Sequence, residues 1–255
     1  MTTHGTSALL VVDMQNDFLA EGGYYAEKAK RVDAASGQLS AIDRNALARV
    51  YLHPPQMCVI SDRYQEFVRA VTEVAEMAID RGMTTVFVKA AYDRESSYRP
   101  PLFLSDPDRR DYGCHPGSWG ADFVEPIKQL ASRGGVTIVE KHTFDAFFGT
   151  ELCGFLRFKH IDTVYISGFE TNVCVLFTAC GALSNGFETI ILAECVTTSE
   201  TRLHKEALQI IEMAHGRVMS TRDFLNLLEK LGGPTAKDPG TPGVVGPICV
   251  RTTRR

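Results

Sequence analysis

A carboxylate, an amine and a thiol each stand directly behind a short apolar run in this chain. Asp13 opens Asp13-Met14-Gln15-Asn16-Asp17-Phe18 after Ala8–Val12. Lys141 lies in Glu140-Lys141-His142-Thr143-Phe144 after Val136–Val139, and Cys174 closes Gly168-Phe169-Glu170-Thr171-Asn172-Val173-Cys174 after Thr163–Ile166. Cys174 falls where that last loop turns into a predicted helix, and a helix N-terminus lowers a thiol pKa. The same turn offers backbone N–H groups that can hold an oxyanion. A nearby Lys141 favours the thiolate further, and Asp13 can shuttle a proton. A nucleophile, a base and an oxyanion site are the parts that acyl transfer needs.

Each residue also has a purely structural reading. Asp13 can cap the turn that follows a strand, Lys141 can be a solvated loop lysine, and Cys174 can be a small buried residue like Cys153, Cys180 and Cys195. The combination outweighs its members because the elements are independent and their strand ends coincide.

The elements that must bring them together are legible as an alternation. Ala8–Val12, Thr84–Val88, Val136–Val139, Thr163–Ile166 and Thr189–Ala193 are near-continuous apolar runs, with a short sixth at Arg217–Met219. Such runs suit strands covered on both faces, as in a parallel sheet. Between them the pattern predicts helices over Asp62–Arg81, Ala121–Ser132, Thr150–Lys159, Val173–Ser184, Arg202–His215 and Arg222–Leu231. In the first, Phe67, Val71, Val74, Ala75 and Ala78 share one stripe, with Gly82 as a stop. The rhythm predicts a three-layer α/β/α sandwich with a mostly parallel six-stranded sheet, whose ligands bind beyond the carboxyl ends of the strands. Residues 1–231 form the expected domain. Two segments break the rhythm: Glu21–Val59, an expected lid or interface insertion, and the Pro/Gly-rich tail 232–255, expected to be disordered or to dock on a neighbouring subunit.

Composition narrows the function classes. A net charge of −4 over 255 residues provides no basic face for nucleic acid, and no apolar run is long enough to span a bilayer. The N-terminus lacks a signal core, so a cytoplasmic location is expected. The seven cysteines are odd in number and form no CxxC pair, which argues against a zinc knuckle or a dithiol redox centre. No GxGxxG follows the first strand, so a dinucleotide-binding dehydrogenase is poorly supported.

At the residues singled out above, the sequence resembles the isochorismatase-like cysteine hydrolase family. The matching motifs are Leu10-Val11-Val12-Asp13-Met14-Gln15-Asn16-Asp17-Phe18, Lys141 with Phe147-Phe148-Gly149-Thr150, and Gly168 through Val175. The resemblance runs from about Ser7 to Leu231, apart from much of the insertion. It implies a catalytic triad of Asp13, Lys141 and Cys174. It also implies a cis peptide at Phe169–Glu170 and an oxyanion hole made by the N–H groups of Glu170 and Cys174. Dimers or tetramers are common in the family, so a homo-oligomer is expected, with the insertion and tail as contact arms.

Within the family, nicotinamidases carry an Asp and several His as metal ligands after the second strand. Here that stretch is Lys89-Ala90-Ala91-Tyr92-Asp93-Arg94-Glu95, without histidine, and no metal or other cofactor is expected. True isochorismatases lack the nucleophilic cysteine. Gly22-Gly23-Tyr24 and Pro116-Gly117-Ser118-Trp119-Gly120 look like the branch acting on ureidoacrylate, biuret, triuret and N-carbamoyl compounds. The expected reaction is therefore hydrolysis of a C–N bond in a small ureide or carbamoyl amide, with ammonia release. Asn16, Phe18, Tyr24, Tyr92, Trp119 and Glu170 are candidate substrate-binding residues. His115 and His142 are read as loop histidines.

Two departures from the family pattern, Glu170 and Asp145, add carboxylates where small residues are usual. Glu170 either accepts hydrogen bonds from a ureide or points to solvent or a backbone partner. Competing functions are a nicotinamidase-like amidase on a cyclic amide and a non-catalytic small-molecule-binding protein with an inert Cys174.

Overall fold

The computed structural model describes residues 6–27, 62–92, 113–199, 201–231 and 248–250. Most of the expected insertion, from residue 28 to 59, lies outside them, as does all of the tail except 248–250.

The apolar runs form strands because both faces are covered. In β1 (Thr6–Val12) the residues Ala8 to Val12 are completely buried. It is followed by β2 (Thr84–Ala90), β3 (Thr137–Lys141), β4 (Ile161–Phe169), β5 (Glu188–Thr197) and β6 (Arg217–Met219), at the places the sequence predicts. The short strand β7 (Ile248–Val250) adds to them from within the tail, pairing with β3 at the sheet edge. The order is β6-β5-β4-β1-β2-β3-β7, with every pairing parallel. The three-layer α/β/α reading holds.

Helices close the two faces. Besides the single turn α1 (Asn16–Leu19) and helical residues 24–27, the described helices are α2 (Asp62–Asp80), α3 (Glu125–Ala131), α4 (Leu152–Phe158), α5 (Leu176–Ser184), α6 (Thr201–Ile210) and α7 (Thr221–Lys230). Wide π-type turns precede α5 at Thr171–Val175 and extend α6 at Ile211–His215. The stripe on α2 is buried as its spacing requires, against Leu9, Val11, Phe87, Ile127 of α3 and Phe224 of α7. On the opposite face Leu10, Val12, Val88 and Ile166 pack against Leu152 and Leu156 of α4 and Ala179 of α5. Gly82 ends α2 with a positive φ, and Met83 N–H returns to the Ala78 carbonyl, a glycine stop that satisfies the last turn. No helix among the described residues is long and apolar enough to cross a membrane.

The sheet order places a switch point at β1/β4. From β1 the chain builds outward through β2 and β3, then crosses back to start β4 on the other side. Loops leaving the carboxyl ends of β1 and β4 diverge there and leave a crevice. Gly168, near the end of β4, permits the close approach: its φ is +122°, and a Cβ there would stand 2.0 Å from the Val12 carbonyl oxygen. The loops behind Asp13 and Glu170 open into this crevice.

Candidate active site

Asp13 leaves β1 in a left-handed conformation, φ 53°, which costs a non-glycine residue on the order of 1 kcal/mol. Its amide still donates to the Val88 carbonyl at 2.9 Å, so the strand is held while the side chain turns toward the rim. Lys141 ends β3, two strands away. Ala90, paired with it in register, and Ala91 are small enough for the lysine to pass over the end of β2. Cys174 arrives from β4 through the π-type turn. The three strand ends therefore deliver their side chains to one point.

There the Lys141 ammonium lies 2.8 Å from Asp13 Oδ2, with both side chains at 0% exposure. The ammonium also donates to Cys174 Sγ at 3.4 Å and to the Thr143 carbonyl at 3.0 Å. The partners around the Asp13 carboxylate are the Lys141 ammonium at ion-pair distance, the Cys174 thiol and the Ala90 backbone, none of them in good hydrogen-bond alignment. A buried carboxylate so placed is ready to accept a proton.

Burial pushes the Asp13 pKa above its ordinary value, opposed by the Lys141 charge. For Lys141, burial pulls downward but is outweighed by the Asp13 and Cys174 charges, so the net shift is upward. Cys174 differs from the sequence expectation. Burial and then the neighbouring Asp13 carboxylate raise its pKa, and Lys141 only partly offsets them. The expected helix-terminus effect is overridden because the thiol is only 5% exposed and faces a carboxylate as well as an ammonium. The resting group is a thiol that must lose its proton as it attacks.

The Phe169–Glu170 peptide is cis. The Glu170 carbonyl accepts from the amides of Val173 at 3.1 Å and Val175 at 3.0 Å. The cis peptide and the turn behind it bring the Glu170 and Cys174 backbone to the same end of β4 as the thiol.

A cavity of about 260 Å³ opens over the thiol, lined by Phe18, Tyr25, Tyr92, Phe144, Phe169, Glu170, Val173 and Cys174. Of the candidate substrate-binding residues, Phe18, Tyr92 and Glu170 line it, with the Tyr92 hydroxyl 3.9 Å from Sγ. The other three do not. Asn16 is spent on structure, donating to the Trp119 carbonyl at 2.8 Å. The Trp119 indole is 56% exposed, since its Gly-rich loop is held by main-chain bonds that leave the ring outside. Tyr24 is tied by its amide to Asp17 Oδ1 at 3.0 Å, and its neighbour Tyr25 takes the place in the wall.

Tyr25, Phe144, Phe169 and Val173 are lining residues that the sequence reading missed. The last two sit inside the Gly168–Cys174 motif, so a signal for them existed. Tyr25 and Phe144 carry none beyond closeness to a motif. Asp145 is structural: Oδ1 accepts from the Phe147 amide at 2.8 Å, and the carboxylate packs on Gly181 of α5. His142 and His115 use Nδ1 on the carbonyls of Ala91 and Tyr92.

A larger depression, about 590 Å³, lies between α2 and α3 and is lined by none of the candidate residues. Among the described residues no group of three or more His, Cys, Asp or Glu is placed to hold a metal ion. Asp93, Arg94 and Glu95, on which part of the metal expectation rested, lie outside the described residues.

Known proteins resemble this chain in sequence and in fold. A maleamate amidohydrolase of Pseudomonas putida is 32% identical over 44% of this chain, a match spanning only about half (52%) of that relative's length. A ureidoacrylate amidohydrolase, RutB, of Yersinia enterocolitica is 25% identical over 87% of this chain and 89% of its own. Among solved structures, nicotinamidase PncA from Bacillus subtilis superposes with a TM-score of 0.62 at 21% identity, over 84% of this chain and 99% of that one, a likeness of fold. The model of the isochorismatase domain matches residues 55–223, which include Lys141 and Cys174, while Asp13 joins them from outside the match through β1. The chain belongs to the isochorismatase family.

Proposed function

We propose that this protein is a cysteine-dependent amidohydrolase that cleaves a C–N bond of a small ureide or carbamoyl amide and releases ammonia. The observation that carries the proposal is the meeting of Asp13, Lys141 and Cys174, with the Cys174 thiol in the wall of a cavity.

The chemistry follows from the geometry. Asp13 takes the Cys174 thiol proton as Sγ attacks the substrate carbonyl carbon. The C–S bond forms and the carbonyl oxygen becomes an oxyanion held by the two amides. Collapse of this intermediate breaks the C–N bond, and Asp13 hands its proton to the departing nitrogen. A thioester-type acyl-enzyme remains. Water then attacks it, Asp13 accepts the water's proton, the C–S bond breaks and the thiol is reprotonated. The net change is amide plus water to acid plus ammonia. Lys141 stays charged throughout, holding Asp13 in place and lowering the cost of negative charge on oxygen and sulfur.

Similarity to ureidoacrylate and maleamate amidohydrolases supports small linear amides as the substrate class. The aromatic wall of Phe18, Tyr25, Tyr92, Phe144 and Phe169 favours a second reading, a flat cyclic amide such as nicotinamide. A homo-oligomer and a cytoplasmic location remain part of the proposal. The test is ammonia release from biuret, triuret, ureidoacrylate, N-carbamoyl compounds, maleamate and nicotinamide, with the wild type and Cys174→Ala. Turnover of a linear amide that Cys174→Ala abolishes is the expected result. Turnover of nicotinamide alone establishes the second reading. Silence on every substrate removes the proposal and leaves a binding protein.

A further inference from the structure

Glu170 brings a buried carboxylate to the residues that line the cavity, apart from the role of its amide. The residue is only 9% exposed, yet it forms part of the wall around the thiol. All hydrogen bonds to its carboxylate from described residues land on Oε1. They come from the Ser199 hydroxyl at 2.5 Å, the Ser199 amide at 3.2 Å and the Thr198 hydroxyl at 3.3 Å, which is also within reach of Asn172 Oδ1. Oε1 is thus anchored from the β5 side, and no described residue donates to Oε2. An acceptor held this way asks for a donor from whatever binds.

The charges nearby sharpen the point. Among the described lining residues none is a cation. Lys141 stands behind the thiol and is committed to Asp13, Cys174 and the Thr143 carbonyl. Two buried carboxyl groups, Asp13 and Glu170, thus lie near the thiol, and the one ammonium is paired with Asp13. A substrate carboxylate would enter as a further desolvated anion with no free cation among the described lining residues to meet it, whereas the N–H groups of a neutral amide would meet the Glu170 carboxylate.

We infer that the Glu170 carboxylate makes this site selective for neutral, N–H-donating amides over amides that bear a carboxylate. This rests on the proposed amide hydrolysis at Cys174 and narrows its substrate class to the neutral amides, setting this chain apart from relatives that act on the carboxylate-bearing ureidoacrylate and maleamate. Burial pushes the Glu170 pKa up, opposed in part by the Ser199 and Thr198 donors, and the comparison is therefore made on the alkaline side. Like charges about 6 Å apart in an effective dielectric near 20 disfavour one another by a factor of about 100.

The test uses a matched pair at mildly alkaline pH: N-carbamoylglycinamide, which is neutral, and N-carbamoylglycine, which carries a carboxylate. The wild type is expected to show kcat/KM for the amide about 10- to 100-fold above that for the acid. In Glu170→Gln the ratio falls to within a few-fold. The two compounds change by different factors, mainly through KM, whereas a merely structural loss lowers kcat/KM for both by the same factor and leaves the ratio as it was. Equal or reversed preference in the wild type, or an unchanged ratio in Glu170→Gln, overturns the inference.

Calorimetric titration of the same pair into Cys174→Ala and Cys174→Ala/Glu170→Gln separates the two proposals. Should the wild type hydrolyse neither compound nor any other amide, the proposed reaction falls, while the ratio of dissociation constants still decides the selectivity. If Glu170→Gln does not fold, Ser199→Ala serves in its place. Freeing Oε1 is expected to raise KM for the neutral amide several-fold, and an unchanged KM there overturns the inference.

Discussion

Replacing Lys141 by Met isolates the electrostatic logic of the site. The ammonium is 2.8 Å from Asp13, and both side chains are fully buried. Removing it leaves a carboxylate with no counter-charge and no aligned donor, and uncompensated charges of this kind cost about 3–5 kcal/mol. The carboxylate can escape by protonation. Burial already holds its pKa above 3.8, and losing Lys141 raises it further. Between the unfolded and folded pKa values the folded variant therefore binds a proton that the unfolded chain has released. Stability is full below the unfolded value and is lost as pH rises through the folded one, by at most about 1.4 kcal/mol per unit.

Urea unfolding of Lys141→Met, followed by fluorescence and circular dichroism, should thus show a larger loss at pH 8 than at pH 5. The double variant Asp13→Leu/Lys141→Met, with an apolar pair in the same space, should return to within about 1 kcal/mol of the wild type while remaining inactive. The reasoning is refuted if Lys141→Met loses less than about 1 kcal/mol at pH 8, or loses equally at both pH values, or if the double variant is no better than the single.

The raised pKa of Asp13 places the acid limb of the kcat/KM profile above the ordinary carboxylate range, because the base must be ionised to take the thiol proton; a limb at or below pH 4 contradicts this. The raised pKa of Cys174 makes alkylation by iodoacetamide slow at neutral pH and faster as pH rises. Slow alkylation therefore does not by itself mark an inert protein, and rapid alkylation at pH 7 would contradict the buried thiol. Gly168→Ala is expected to lose more than about 4 kcal/mol or fail to fold, since its Cβ would overlap the Val12 backbone; a melt within 1 kcal/mol of wild type shows that β1 and β4 can separate. Ser220 caps α7 by accepting from the Asp223 amide at 3.1 Å, so Ser220→Ala should cost about 1 kcal/mol in urea melts and leave kcat/KM unchanged.

The strands and the convergence of Asp13, Lys141 and Cys174 were legible in the sequence because they rest on local patterns. A run such as Ala8–Val12 is apolar at every position only when both faces of a strand are covered, and the carboxyl ends of parallel strands share one rim. The stripe on α2 follows equally from 3.6-residue spacing. What required the tertiary structure was direction and environment. Tyr24 and Tyr25 are adjacent and chemically identical, yet the amide of one is tied to Asp17 and the ring of the other lines the cavity. Trp119 is an aromatic beside a motif whose ring the loop leaves in solvent. Ile248–Val250 has too few residues to announce itself and becomes a strand only because the edge of β3 is there to pair with. The Cys174 thiol was read from its helix end alone, a through-sequence effect that favours the thiolate. Burial and the facing Asp13 carboxylate act through space and win, because desolvating a charge costs more than a helix terminus returns.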